Sequence, residues 1–286
     1  MRSTIVTADF YEREYNARAS IPEHAQIFAD WADRSAQARA ALAGSLDVSY
    51  GPVQAHKLDI FPAQGTKRPI LIFIHGGWWR SLDKNDFSFI APPLVGEGVT
   101  VVSVNYTLAP YAGITEIVDE VRRACAWVWQ HAPEFGGNRE QIHLAGHSAG
   151  GHLTAMMLTT DWQTVYRGMP RDAIKSAIAV SGLYDLAPVS HADFVNVDLK
   201  LTEQSAKRIS PIYLRPASPA PLHLAAGELE SNEFRRQTDL IATAWCDVCT
   251  APLSLRGRHH LAAMEDFVGP DGALFPRLIE MTGRAT

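Results

Sequence analysis

The sequence predicts an α/β fold: a mostly parallel central sheet flanked by helices and preceded by a helical N-terminal arm. Three observations predict it. Apolar strand patterns alternate with helical patterns along the chain, the order that builds βαβ units. Residues 70–74, Ile-Leu-Ile-Phe-Ile, are apolar on both faces, as a central parallel strand covered by helices on each side must be. A Gly-x-Ser-x-Gly turn at 146–150 falls directly between a strand pattern and a helix pattern.

Taken in order, residues 1–45 alternate aromatic, acidic and Ala-rich stretches. Within them, 25–42 places Ile27, Trp31, Ala38 and Leu42 near helical spacing, which predicts an amphipathic helix. Residues 57–61 alternate like a half-buried strand, and a turn region running from Pro62 to Pro69 leads into the strand at 70–74. Then come a helix at 87–97, an apolar strand at 99–104, a helix at 114–131 and a short strand at 141–145. Residues 149–159 are compatible with a helix behind the serine turn. Strands follow at 178–180 and 222–226, a helix at 233–245, a strand at 253–255 and an Ala/Leu-rich helical tail. The stretch 181–218 is the least regular, and its loops are expected over the sheet edge. No repeat, low-complexity tract or linker divides the chain, so 1–286 reads as a single domain. Its arm, 1–45, serves as a lid or as a homodimer contact.

The composition narrows the partners. A net charge of −5 with no Lys/Arg-rich run excludes the clustered positive charge that a nucleic-acid groove or an anionic membrane surface requires. The apolar run at 70–74 is far too short to cross a bilayer, and the N-terminal residues lack the apolar stretch of a signal peptide. Three cysteines cannot all pair within one chain, which disfavours a disulfide-stapled secreted fold. A cytoplasmic protein acting on a small-molecule substrate is the expectation.

The chemistry concentrates at turns that follow strands. Two glycines in Gly146-His147-Ser148-Ala149-Gly150 allow a sharp strand-to-helix turn that lifts the Ser148 hydroxyl to a helix N-terminus. There the Ala149 backbone N–H can donate to a developing oxyanion. The strand at 70–74 runs into His75-Gly76-Gly77-Trp78-Trp79, where glycines let backbone N–H groups approach a substrate oxygen. Gly76 and Gly77 are the nominated donors, with Trp78 as a further one, and Trp78 and Trp79 are placed as walls of an aromatic substrate pocket. A serine at its free pKa is a poor nucleophile, so a histidine base and an orienting carboxylate are required. Glu230 follows the strand at 222–226 and is the chosen acid. Glu228 competes with it, while Glu233 suits the first turn of the next helix. For the base, His259 and His260 follow the last strand. His260 stands directly before the tail and is favoured; His259 is assigned to solvent or substrate contact. His143 and His152 read as structural.

Other chemistries lack their residues. Cys246-Asp247-Val248-Cys249 follows a helix rather than opening one, so no helix dipole supports a thiolate, and no second Cys pair completes a zinc site. Neither a P-loop nor a G-x-G-x-x-G occurs, so no nucleotide cofactor is indicated and no metal or other cofactor is expected.

With these residues in view, the chain resembles the α/β-hydrolase superfamily, in the branch of hormone-sensitive-lipase-like esterases and kynurenine formamidases. The resemblance rests on Tyr15-Asn16-Ala17-Arg18 with Ile21-Pro22, Leu58-Asp59-Ile60-Phe61-Pro62, the HGGWW turn, and Asn105-Tyr106 with Leu108-Ala109-Pro110. It continues through GHSAGGH at 146–152, Ser181-Gly182-Leu183-Tyr184-Asp185-Leu186, and Glu230-Ser231 with Glu233 to Gln237. It implies the α/β-hydrolase fold and a serine hydrolase with Ser148 as nucleophile, Glu230 as acid and His260 as base. Gly76, Gly77 and Ala149 then surround the oxyanion. An aryl formamide such as N-formylkynurenine is the implied substrate, with a short-chain ester or another small amide as the rival. Two features depart from the family pattern: a Glu stands where the acid is usually Asp, and Leu261 follows the histidine doublet where Phe is common.

Overall fold

A computed structural model describes residues 8–283. Helices α1 (Ala8–Tyr15), α2 (Ala17–Ser20) and α3 (His24–Ala41) form the arm. Strands β1 (Ser45–Ser49), β2 (Lys57–Phe61) and β3 (Arg68–Ile74) follow, then α4 (Ala91–Gly96), β4 (Thr100–Val104), α5 (Ile114–His131), β5 (Gly137–His147) and α6 (Ala149–Leu158). The second half runs α7 (Trp162–Val165), β6 (Ile174–Val180), α8 (Asp193–Leu199), α9 (Glu203–Arg208), β7 (Leu222–Gly227), α10 (Asn232–Ala244), β8 (Leu253–Leu255) and α11 (Leu274–Met281).

The eight strands form one sheet in the order β1-β2-β4-β3-β5-β6-β7-β8. β4, β3, β5, β6, β7 and β8 are parallel, and β1 and β2 add an antiparallel edge. The alternation of side chains in β3 explains its unbroken apolar run. Ile70, Ile72 and Ile74 pack into the core shared with α5, α6 and α10, whereas Leu71 and Phe73 pack into the opposite core beneath α3, α4 and α11.

Four expectations change. β1 lies just beyond the expected arm; its mostly exposed side chains leave no hydrophobic alternation to read. Lys84, fully buried, pins this edge through Asp47 at 2.8 Å and Asp59 at 2.9 Å. The helix expected at 87–97 is α-helical only from Ala91. Pro92 and Pro93 offer no backbone N–H and fit the first turn of a helix but not its interior, so 84–90 folds into two 3₁₀ turns instead. The stretch 181–218 contains α8 and α9 and does not lie over the sheet edge. It packs on the arm and on the turn after β3, through Tyr11 against His191 and Phe194 against Trp78. The tail starts as a 3₁₀ turn at 262–267 before α11.

Candidate active site

Ser148 caps α6 with φ +57°, a left-handed backbone that non-glycine residues rarely adopt and that costs on the order of 1–3 kcal/mol. The strain holds the side chain up at the end of β5. A side chain at Gly150 would meet the Ile74 carbonyl oxygen at 1.9 Å, so the elbow can seat against β3 only with glycine there. The turn after β3 comes equally close: a Cβ on Gly76 would stand 3.0 Å from the Ser148 Cβ. The HGG backbone and the Ala149 helix N-terminus therefore flank the hydroxyl, the arrangement an oxyanion needs.

His260 Nε2 lies 3.0 Å from Ser148 Oγ, and its Nδ1 lies 3.1 Å from Glu230 Oε2. The order Ser–His–carboxylate is thus a continuous hydrogen-bonded chain across three separate loops. With Nδ1–H donating to the carboxylate, Nε2 is left to accept the serine proton. All three residues are buried. Glu230 is fixed by two further donors on Oε1, the Gly227 backbone N–H at 2.7 Å and the Ser181 hydroxyl. The competing Glu228 is exposed and accepts instead from the Gly257 N–H at 2.8 Å, away from His260. Glu233 sits in the first turn of α10 and accepts from Tyr15 Oη at 2.7 Å, tying the arm to the body.

The sequence reading missed two supporting groups. Ser181, at the end of β6 with φ +53°, completes the acid's shell; its position after a strand adjoining the serine strand was the available signal. His147, the variable residue of the serine motif, donates from Nε2 to the His260 carbonyl at 2.8 Å. It holds the base's loop onto the elbow, and burial, followed by the neighbouring His260, keeps its pKa well below the usual histidine value. No local pattern signals a bond between residues 113 apart.

A cavity of about 30 Å³ adjoins Ser148 and His260, walled by Trp78, Leu82, Phe87 and the arm residues Ala17, Arg18, Phe28 and Trp31. Trp78 is where it was expected. Trp79 is not: its side chain is fully buried in the core, 5.1 Å ring to ring from His152, because successive left-handed residues at 78 and 79 send the two indoles in different directions. His259 lies off this cavity, in a neighbouring groove, with Nε2 3.5 Å from Glu23. His143 and His152 bond to Ser176 Oγ and the Ile209 carbonyl, and burial pushes both down to about 4. Cys246 and Cys249 lie in the turn after α10, and burial raises the Cys249 thiol to about 12, the reverse of a reactive thiolate. Among the described residues, no group of three His, Cys, Asp or Glu is arranged to hold a metal ion, and no helix is long and apolar enough to cross a membrane.

Residues 58–230, which carry the strand-end turns and the elbow, match the BD-FAE family model. This chain belongs to the BD-FAE family. Over 250 residues it is 36% identical to a kynurenine formamidase of Salmo salar, covering 84% of this chain and 82% of that protein. It is 31% identical over 183 residues to esterase LipC of Mycobacterium tuberculosis, covering 60% of this chain and 45% of the esterase. A solved structure titled as a thioesterase candidate from Silicibacter sp. TM1040 superposes with TM-score 0.83 at 28% identity, over 96% of this chain and 98% of that one. The BD-FAE chain is an α/β-hydrolase in fold and a hydrolase in enzyme class.

Proposed function

We propose that this BD-FAE protein is a serine hydrolase that cleaves an aryl formamide, N-formylkynurenine being the leading substrate. The observation that carries the mechanism is the unbroken Ser148–His260–Glu230 hydrogen-bond chain. Ser148 Oγ attacks the formyl carbonyl while His260 Nε2 takes its proton. The backbone N–H groups of Gly76, Gly77 and Ala149 receive the oxyanion. His260 then returns the proton to the departing aromatic amine, and water, activated by the same imidazole, releases formate from the acyl enzyme. Glu230 holds the tautomer and stabilises the imidazolium.

Two findings support an aryl formamide. The relatives matched over most of the chain include kynurenine formamidases. The cavity beside Ser148 is walled by the aromatic rings of Phe28, Trp31, Trp78 and Phe87, which suit an aromatic amine as the leaving group. The arm acts as the roof of this site, a reading supported by Ala17, Arg18, Phe28 and Trp31, which wall the cavity. A cytoplasmic location belongs to the same proposal, supported by three free cysteines, and recovery of the protein from an oxidising compartment would contradict it.

Comparing kcat/KM for N-formyl, N-acetyl and N-butyryl derivatives of one aromatic amine tests the substrate assignment. The proposal expects the formyl compound to lead by at least about tenfold, with a further fall at each extension. Equal rates across the series, or turnover of p-nitrophenyl acetate alone, would move the function to a short-chain carboxylesterase.

A further inference from the structure

Arg18 is the one charged side chain in an otherwise apolar set of arm and turn residues around the cavity. Its surroundings are unusual for a half-buried arginine. Nη2 donates to the Ser81 hydroxyl at 2.8 Å, and the guanidinium lies over the Phe28 ring at 5.0 Å, but among the described residues no carboxylate pairs with it. The neighbouring Arg80 is treated differently: it is paired with Asp198 at 2.6 Å. Ser81 in turn donates to the Gly77 carbonyl at 2.9 Å, so the guanidinium is positioned from the oxyanion turn itself. The wall beside Ser148 thus carries one uncompensated positive charge, held by a neutral hydroxyl.

The cavity's size gives that charge a task. About 30 Å³ accommodates little more than a water-sized group, so an aromatic amine needs part of the wall to yield, and Arg18, on the short segment of residues 16–20 and held by a single neutral hydrogen bond, stands in that wall. A molecule that enters beside Ser148 therefore has the guanidinium within its surroundings. A substrate bearing a carboxylate lets Arg18 exchange one neutral hydrogen bond for a charge-assisted, two-pronged pair, whereas a neutral substrate separates it from Ser81 with nothing in return. We infer that Arg18 is a specificity-determining residue that binds a substrate carboxylate, and that the preferred substrates are aryl formamides that carry a carboxylate.

The inference rests on the formamidase reading and deepens it, since the kynurenine side chain ends in an amino-acid carboxylate. Its test is the ratio of kcat/KM for N-formylkynurenine to that for its carboxamide, which removes the negative charge at the same size. Wild type, Arg18→Met and Arg18→Lys are compared, with p-nitrophenyl acetate as a check that each variant has a folded site. Wild type should favour the acid by about 10- to 100-fold, and Arg18→Met should lower that ratio about tenfold or more. Arg18→Lys, which keeps a point charge but loses the fork, should lower it by a smaller factor and secures the answer if the Met variant does not fold. A purely structural arginine would change both substrates together and leave the ratio alone. An unchanged ratio in both variants, or a wild-type enzyme that takes acid and carboxamide equally, overturns the role of Arg18 while leaving the formamidase intact. Hydrolysis of the ester with neither formamide cleaved overturns the formamidase reading itself, and the assignment of Arg18 with it.

Discussion

The floor and the roof of the active site are built by opposite means. The floor is made where β3, β5, β6, β7 and β8 end: each strand delivers a short turn, and the groups that do the chemistry stand within one to five residues of a strand terminus. The roof is assembled from the arm and the segment 181–218, parts far apart in the chain, through contacts such as Tyr15 with Glu233 and Trp78 with Phe194. A parallel sheet fixes its strand ends cooperatively, so the floor can hold strained residues such as Ser148 in place. The roof lies outside the sheet and is located mainly by side-chain contacts, with backbone bonds such as those of Ala217 and Ser218 to the Leu158 carbonyl only at its ends, and it supplies recognition rather than reaction. Damage to the floor should therefore strike turnover, and damage to the roof should strike selectivity and stability.

The largest effects should come from the floor. His260→Ala removes the base and should lower kcat by about 10⁴-fold or more, with folding retained. Glu230→Gln keeps the shape but no longer fixes the tautomer; stopped assays should show a loss of about 10³- to 10⁴-fold in kcat. His147→Leu frees the His260 carbonyl, and a displacement of the base by about 1 Å should cost around 10²-fold, read in kcat with KM little changed. If that loss appeared in KM alone, His147 would belong with recognition and the division between floor and roof would be wrong.

Stability against pH sharpens the comparison further. Burial holds His75, His143, His147 and His152 neutral, with pKa values below the ordinary histidine value. The unfolded chain has these groups near 6.5, so below that pH it binds more protons than the native state. The stability is present above about 6.5 and is lost as pH falls towards the folded values, about 4 for His143 and His152. Each group contributes about 1.4 kcal/mol per pH unit in that window, so Tm measured at pH 7.5 and 5.5 should fall by roughly 5 °C or more. A flat profile would mean that these imidazoles are protonated in the native state. The smallest effect belongs to the roof: Tyr15→Phe removes the hydroxyl between Glu233 and Gln237 and should cost about 1–3 kcal/mol, seen as a modest fall in Tm.

The same contrast explains what could be read from the chain. The nucleophile, the oxyanion turn and the strands beneath them follow local rules, because apolar runs bounded by glycine-rich turns carry their own signal. Helix 114–131 shows its amphipathic face over five turns and matches to the residue. Glu230 and His260 were legible as residues just past strands, although choosing them over Glu228 and His259 needed the fold. Ser181 and His147 were not legible, since their partners lie in other turns. Trp79 looked like a pocket wall because adjacency in sequence says nothing about where two left-handed residues aim their rings. The two prolines at 92 and 93 were a readable warning about the helix at 87–97. Arg18 stood in a recognisable stretch of the arm, but that it lacks a carboxylate partner is visible only in three dimensions.

The most direct test of the account is kcat/KM for N-formylkynurenine beside p-nitrophenyl acetate, with wild type and Ser148→Ala measured in parallel. The account predicts a preference for the formamide in the wild type and a loss of about 10⁴-fold or more on both substrates in the variant. Turnover that survives Ser148→Ala would contradict it, because the floor would then do its chemistry without the residue it is built to present.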